Sequence, residues 1–199
     1  MRRKAMSVKK TPIAVLVSGS GSNLQALIDA CAQPDYPANI KLVLSNKADA
    51  YGLERAKKAN IATAVISHKD YANRTDFEQA IHNALLTHKV EFVCLAGFMR
   101  ILEDTFVTQW QDRMINIHPS LLPKYKGLHT HKRAIEAGDT HGGCTVHYVV
   151  PEMDAGPIIA QESVEISNDE TPDSLAAKVL KKEHLLYPRA LKLALATNK

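Results

Sequence analysis

Cysteine is scarce in this sequence. Cys31, Cys94 and Cys144 are spread over 199 residues without a single C-x-x-C pair. An odd, sparse count excludes a disulfide framework and a cysteine-rich zinc site, and predicts reduced thiols in the cytoplasm. Long apolar runs are missing as well: none approaches the ~20 residues of a membrane helix, so no membrane association is expected. The basic start "MRRKAMSVKK" followed by "IAVLVSG" mimics a signal peptide, but its apolar part is short and continues into a glycine turn. Internal repeats, low-complexity tracts and linkers are absent. Residues 1–199 are therefore read as a single domain, long enough to bury a core without disulfides or metal.

A surplus of one charge is also lacking once the charge is located. Five of the 25 basic residues fall in the first ten positions, which hold no acid, and the other 20 face 21 acids. Residues 1–11 are read as a basic, flexible extension, and no nucleic-acid partner is expected of the body. Several signatures of chemistry are missing. A dinucleotide fingerprint is broken at Leu24, and no G-K-[ST], G-x-S-x-G or H-E-x-x-H occurs. His129, His131, His141 and His147 are numerous but not spaced as ligands, so no metal is expected.

What is present is alternation. Apolar, β-branched runs at 13–18, 40–45, 63–67, 91–97, 114–118, 144–150 and 157–166 alternate with helical patterns at 22–32, 51–59, 70–88, 129–137 and 172–196. The first four runs are apolar almost throughout, as strands are when helices cover both sheet faces. This predicts an α/β fold: a doubly wound, mostly parallel open sheet of about seven strands, Rossmann-like, with helices on both faces. The close spacing of the last two strands points to one antiparallel pairing. In such sheets ligands gather beyond the carboxyl ends of the strands, where the strand order reverses.

Polar residues stand at those ends. "VLVSGSGSNLQALID" runs from strand through Gly19 and Gly21 into a helix opened by Ser22 and Asn23. Glycines there allow close approach, and a helix N-terminus attracts an anion, so a small phosphate monoester fits. A glycine turn with Ser and Asn capping the helix fits equally. In "INIHPSLLP", Asn116 and His118 share one face of a strand that Pro119 stops. An amide and an imidazole side by side suit chemistry at a carbonyl, where both donate to a developing oxyanion. A satisfied structural histidine is the plainer alternative. Asp154, in an Asp-Ala-Gly-Pro turn, is either a turn former or a carboxylate set against His118. His147 shares a face with Thr145 and Val149, either behind that pair or in the core.

The segments "SGSGSNLQALID", "SNKADAYGLERAKKANI", "LAGFMRIL", "INIHPSLLPKYKGLHTH" and "MDAGPIIAQ" together resemble the phosphoribosylglycinamide formyltransferases of purine synthesis, in order from about residue 13 to 190. The resemblance implies a formyltransferase fold and a formyl transfer from 10-formyltetrahydrofolate, as cosubstrate and without metal, to the amine of glycinamide ribonucleotide. It carries Asn116, His118 and Asp154 over as catalytic residues. Gly21, Ser22, Asn23 and Glu183 follow as the ribonucleotide site. Arg74, Met99, Arg100, Ile101 and Leu102, with Asn116, follow as the folate side, and residues 150–155 as the loop around the pterin. The implied partners are those two small molecules, acting on a cytoplasmic monomer or weak homodimer. Methionyl-tRNA formyltransferases and formyltetrahydrofolate hydrolases are the nearest rivals, but each carries a further domain for which this length leaves no room. Ala155 departs from the resemblance, which more often shows a glycine there.

Overall fold

The computed structural model describes residues 9–197. Seven strands form one sheet in the order β3-β2-β1-β4-β5-β6-β7. They are β1 (Thr11–Val17), β2 (Ala38–Ser45), β3 (Thr63–Val65), β4 (Phe92–Leu95), β5 (Met114–His118), β6 (His141–Tyr148) and β7 (Ile158–Glu165). The first five are parallel where they pair, and β6 runs antiparallel to both β5 and β7. Both pairings of β6 are thus antiparallel, where the sequence suggested one. Six helices accompany the sheet among the described residues: α1 (Ser22–Cys31), α2 (Tyr51–Lys58), α3 (Arg74–Thr87), α4 (Asp104–Gln109), α5 (Thr130–Glu136) and α6 (Pro172–Thr197).

The alternation of side chains along each strand divides the core in two. Ile13, Val15 and Val17 of β1 face Leu24 and Leu27 of α1, Leu53 of α2 and Leu186, Tyr187 and Leu191 of α6. Ala14 and Leu16 face the other way, onto Phe77, Ile81 and Leu85 of α3 and Phe106 and Val107 of α4. Strands buried on both faces must be apolar on both, which explains the unbroken runs.

Several boundaries differ from the sequence reading. Helix α4 lies in a stretch that reads as loop, because its six residues are too few to display a helical period. The expected helix at 70–88 begins four residues later, where Asn73 accepts the Asp76 N–H and caps α3. The expected extension 1–11 also shortens: Thr11 opens β1, and the Lys10 ammonium donates to the Cys31 and Gln33 carbonyls. The rest of that segment, residues 1–8, lies outside the described residues. No helix among the described residues is long and apolar enough to cross a membrane.

Candidate active site

Strand order reverses between β1 and β4, and the loops leaving these two strands are fastened together. The Ser18 hydroxyl accepts the Met99 N–H at 2.8 Å and donates to the Asn46 side-chain oxygen at 2.5 Å, while the Ser18 N–H donates to the Gly97 carbonyl. The β1 end continues into the glycine turn of "SGSGSN", which leads directly into α1. Gly21 adopts a left-handed φ of +68°, and a β-carbon added there would lie 2.6 Å from the Gly52 Cα. Only glycine satisfies both constraints. Helix α1 starts directly after it with no side-chain cap, so Ser22 and Asn23 do not serve as the capping residues the alternative reading required.

Asn23 has another role. Its amide donates to the Glu183 carboxylate of α6 at 2.7 Å, and its own side-chain oxygen is buried without a partner. Burial holds the Glu183 carboxyl above the usual carboxylate range, an effect the Asn23 hydrogen bond only reduces. One end of the cleft therefore pairs a helix N-terminus with a buried carboxylate and an unsatisfied amide oxygen. Arg55 of α2 supports the cradle from behind by donating to the Ser20 carbonyl at 2.8 Å.

On β5, Ile115 and Ile117 enter the α6 side of the core, so Asn116 and His118 must point to the opposite face. On that face the core contains Met114 but neither Asn116 nor His118, and loops enclose the strand's carboxyl end instead. The His118 Nε2 meets the Tyr125 carbonyl at 2.9 Å, and its Nδ1 lies 3.5 Å from Asp154 Oδ2. Asp154 takes a left-handed turn conformation, φ +51°, tolerated by aspartate more than by most residues, and accepts the Gly127 N–H at 2.8 Å. His147 of β6 is paired across the ladder with Asn116; its Nε2 is 3.3 Å from the Asn116 amide nitrogen and 3.7 Å from Asp154 Oδ1. Asn116, His118 and Asp154 are thus brought together, with His147 joining them from the core side. Burial lowers the His147 pKa, and burial together with the charge of nearby His118 does the same to His131.

The folate-side residues are arranged differently. Met99 and Ile101 are exposed while Leu102 is buried, so the segment 99–102 presents two apolar side chains outward and anchors itself with the third. The residue that follows the segment is held by the buried Glu78 of α3, whose two oxygens accept the Glu103 N–H at 2.9 and 3.1 Å. Arg74 and Arg100 both act on the Glu78 carboxylate, which burial nevertheless raises. In the loop after β6, glycine is demanded at Gly156, where a β-carbon would meet the Tyr148 carbonyl at 1.7 Å, whereas Ala155 beside it is exposed. No group of three or more His, Cys, Asp and Glu side chains among the described residues is placed to hold a metal ion. Nor is a cysteine poised as nucleophile: burial pushes the Cys31 and Cys144 thiols up to about 12 and Cys94 higher still.

A model of the formyl transferase family matches residues 11–191. The chain belongs to that family. The trifunctional purine biosynthetic protein adenosine-3 of Chironomus tentans is 53% identical over 96% of the chain, which spans 14% of that protein's length. The phosphoribosylglycinamide formyltransferase of Haemophilus influenzae is 47% identical over 90% of the chain and 85% of its own length. The crystal structure of the corresponding enzyme from Brucella melitensis superposes with a TM-score of 0.89 at 48% identity, covering 92% of this chain and 95% of that one.

Some residues that shape this candidate site escape the sequence reading. The buried Thr145 hydroxyl donates to the Ser120 carbonyl at 2.6 Å and accepts the Leu122 N–H and the Gln161 amide, pinning the loop that follows His118. Tyr187 donates to the Leu95 carbonyl at 2.8 Å, tying α6 to the end of β4. A glutamate within an apolar helical stripe, as Glu78 is beside Phe77, Ile81 and Leu85, is the one such signal legible in advance.

Proposed function

We propose that the chain transfers the formyl group of 10-formyltetrahydrofolate to the amine of glycinamide ribonucleotide, with Asn116, His118 and Asp154 as the catalytic residues. The carrying observation is the convergence of these three side chains at one strand end, on the same side of the sheet terminus as the Gly21 cradle and Glu183. The names of the relatives support the substrate. The residues fit the donor: Met99, Ile101 and Met153 offer exposed apolar surface for a flat ring system, and Arg74 and Arg100 offer cations for an acidic tail.

When bound, the folate supplies an electrophilic formyl carbon. The ribonucleotide brings its own amine, which accounts for a site without an activated protein nucleophile. Gly21, Ser22 and Asn23 hold its phosphate at the α1 N-terminus, and Glu183 accepts hydrogen bonds from the rest of it. Asn116 donates an N–H to the formyl oxygen as negative charge builds there. His118, with Nδ1 toward Asp154, donates from Nε2 to the same oxygen and gives its proton to the departing folate nitrogen. The proton that the attacking amine loses returns His118 to its starting state. In the structure that Nε2 is engaged by the Tyr125 carbonyl, so the loop "KYKGLH" must shift as substrates enter.

Incubating the purified protein with 10-formyltetrahydrofolate and either glycinamide ribonucleotide, charged initiator tRNA or water alone tests the proposal by product mass. Formylated ribonucleotide is the expected product. Formylated tRNA or free formate in its place would overturn the assignment.

A further inference from the structure

We propose that His147 is a positioning residue that works as a neutral hydrogen-bond acceptor: its bare Nε2 holds the Asn116 amide nitrogen-first, so that Asn116 presents N–H to the reacting oxygen, and it leaves the Asp154 carboxylate to His118. The inference rests on the reaction proposed above and assigns a role within it to a residue that does not touch the reacting atoms.

The tautomer follows from one contact. His147 Nδ1 lies 2.9 Å from the Tyr148 carbonyl oxygen. A carbonyl only accepts, so Nδ1 carries the hydrogen, and in the neutral ring Nε2 is then a lone-pair acceptor. That acceptor stands 3.3 Å from the Asn116 amide nitrogen, its direct partner in the β5–β6 ladder. An asparagine amide turned the other way would set its oxygen against the His147 lone pair, two acceptors facing each other in a buried place. The bare Nε2 therefore dictates which end of the amide faces the cleft.

A second proton on His147 would reverse this. An Nε2–H would repel the Asn116 N–H and turn toward Asp154 Oδ1, 3.7 Å away. Asp154 would then divide its charge between two imidazoles, since His118 Nδ1 lies 3.5 Å from its other oxygen. The charged and titratable groups facing His147 are Asp154, from the loop after β6, and His118, from β5. The His147 side chain is 3% exposed, and burial is the largest influence on it, outweighing the pull of the Tyr148 carbonyl and of Asp154 toward protonation. A proton on His118 disfavours one on His147 in addition. Two imidazoles thus share one carboxylate, and burial disfavours a charge on the inner ring, His147.

Side-chain nitrogen NMR on the full chain labelled with ¹⁵N-histidine reads the tautomer without any assay, the His147 signals being assigned by their loss in His147→Gln. At neutral pH a protonated Nδ1 and a bare Nε2 are expected; a proton on Nε2 would overturn the proposal. Kinetics then read the consequence. Glutamine places an amide oxygen near the position of Nε2 and does not titrate, whereas leucine removes the acceptor. His147→Leu is expected to lose ~10²-fold in kcat, comparable to losing one oxyanion donor, with the KM for ribonucleotide changed less than about threefold. His147→Gln should recover to within about tenfold of the parent. Asn116→Ala combined with His147→Leu should be no slower than Asn116→Ala alone, because both changes remove one shared interaction. A folded His147→Gln as slow as the leucine variant, or losses that multiply in the double variant, would refute the role. A parent protein that formylates no ribonucleotide would overturn the reaction proposed above, and the NMR spectrum would still decide the tautomer.

Discussion

His118 Nδ1 and Asp154 Oδ2 stand 3.5 Å apart in a place where both side chains are about nine-tenths buried. A carboxylate removed from water in this way interacts strongly with a neighbouring imidazolium and holds it in one orientation. Asp154→Asn keeps an oxygen that accepts the Gly127 N–H and removes the charge. Its kcat is expected to fall by ~10²-fold or more, and His118→Ala by at least as much, while the KM for ribonucleotide changes little. Steady-state rates with each substrate varied decide this; a near-parental kcat in Asp154→Asn would remove the charge from the mechanism.

Glu183 carries a carboxyl group buried at a cost to stability. Its carboxyl titrates above the ordinary value because burial disfavours the anion. For a group whose folded pKa is raised, the stabilising contribution is present below the unfolded pKa and is lost as pH rises through the folded one. At neutral pH the burial of this carboxyl group thus costs stability. Glu183→Gln removes that cost and offers an amide N–H to the unpartnered Asn23 oxygen. The variant should melt roughly 2–4 °C higher at pH 7.5, the shift about 1 kcal/mol gives in a domain of this size, with a smaller gain at pH 4.5. Its KM for ribonucleotide should rise. Equal gains at both pH values would show that ionisation is not the cause.

The two cradle glycines are not equivalent. A β-carbon at Gly19 meets nothing within 4 Å, whereas at Gly21 it meets the α2 backbone in a left-handed conformation. Gly19→Ala is expected to fold with parental stability. Gly21→Ala should lose ~1–3 kcal/mol and raise the KM for ribonucleotide, since the strained residue starts α1. Denaturant melts of both variants provide the comparison, and equal stabilities would contradict the geometry.

Arg74 lies at the first turn of α3 and is exposed, with the Glu78 carboxylate as a charged neighbour. Arg74→Ala should raise the KM for the formyl donor several-fold with kcat within about twofold of the parent, the pattern of an interaction equal in ground and transition states. A fall in kcat at unchanged KM would move Arg74 away from the donor's tail.

A further prediction concerns acid. His131, His147 and His184 all titrate below the ordinary histidine value of 6.5, burial being the largest cause for each. Groups with depressed folded pKa values stabilise above the unfolded pKa and lose that contribution as pH falls through the folded one. The melting temperature should therefore drop between pH 7 and pH 5, and less steeply in His147→Gln. A slope identical in that variant would mean His147 does not titrate in the range.

Parts of this were legible in the chain and parts were not, for reasons that differ by residue. Asn116 and His118 could be placed on one face because strand alternation is strict, and Pro119 marked the strand's end. Gly21 could be marked as a turn, but the close approach of Gly52 that makes it indispensable involves a residue from another helix. Asn23 read equally as part of a phosphate site or as a helix cap; its hydrogen-bond partner Glu183 is remote in sequence, and no local pattern announces the pairing. Helix α4 was missed because two buried residues in six cannot establish a period. The second antiparallel pairing was missed because helix α5 and its loops separate β5 from β6, and spacing alone does not give direction.

The chain order of the strands and of the helices other than α4, the two-sided burial of the sheet and the polar character of its carboxyl edge were written in the sequence, because they follow from periodicities of two and 3.6 residues and from the fixed φ of proline. Tertiary structure alone decided which polar groups meet. The engagement of His118 by both Tyr125 and Asp154, and the tautomer that the Tyr148 carbonyl imposes on His147, depend on loops whose paths no periodicity encodes. Distances of a few ångströms between remote segments are set by the packing of the whole sheet against its helices, and the chemistry of the cleft depends on those distances.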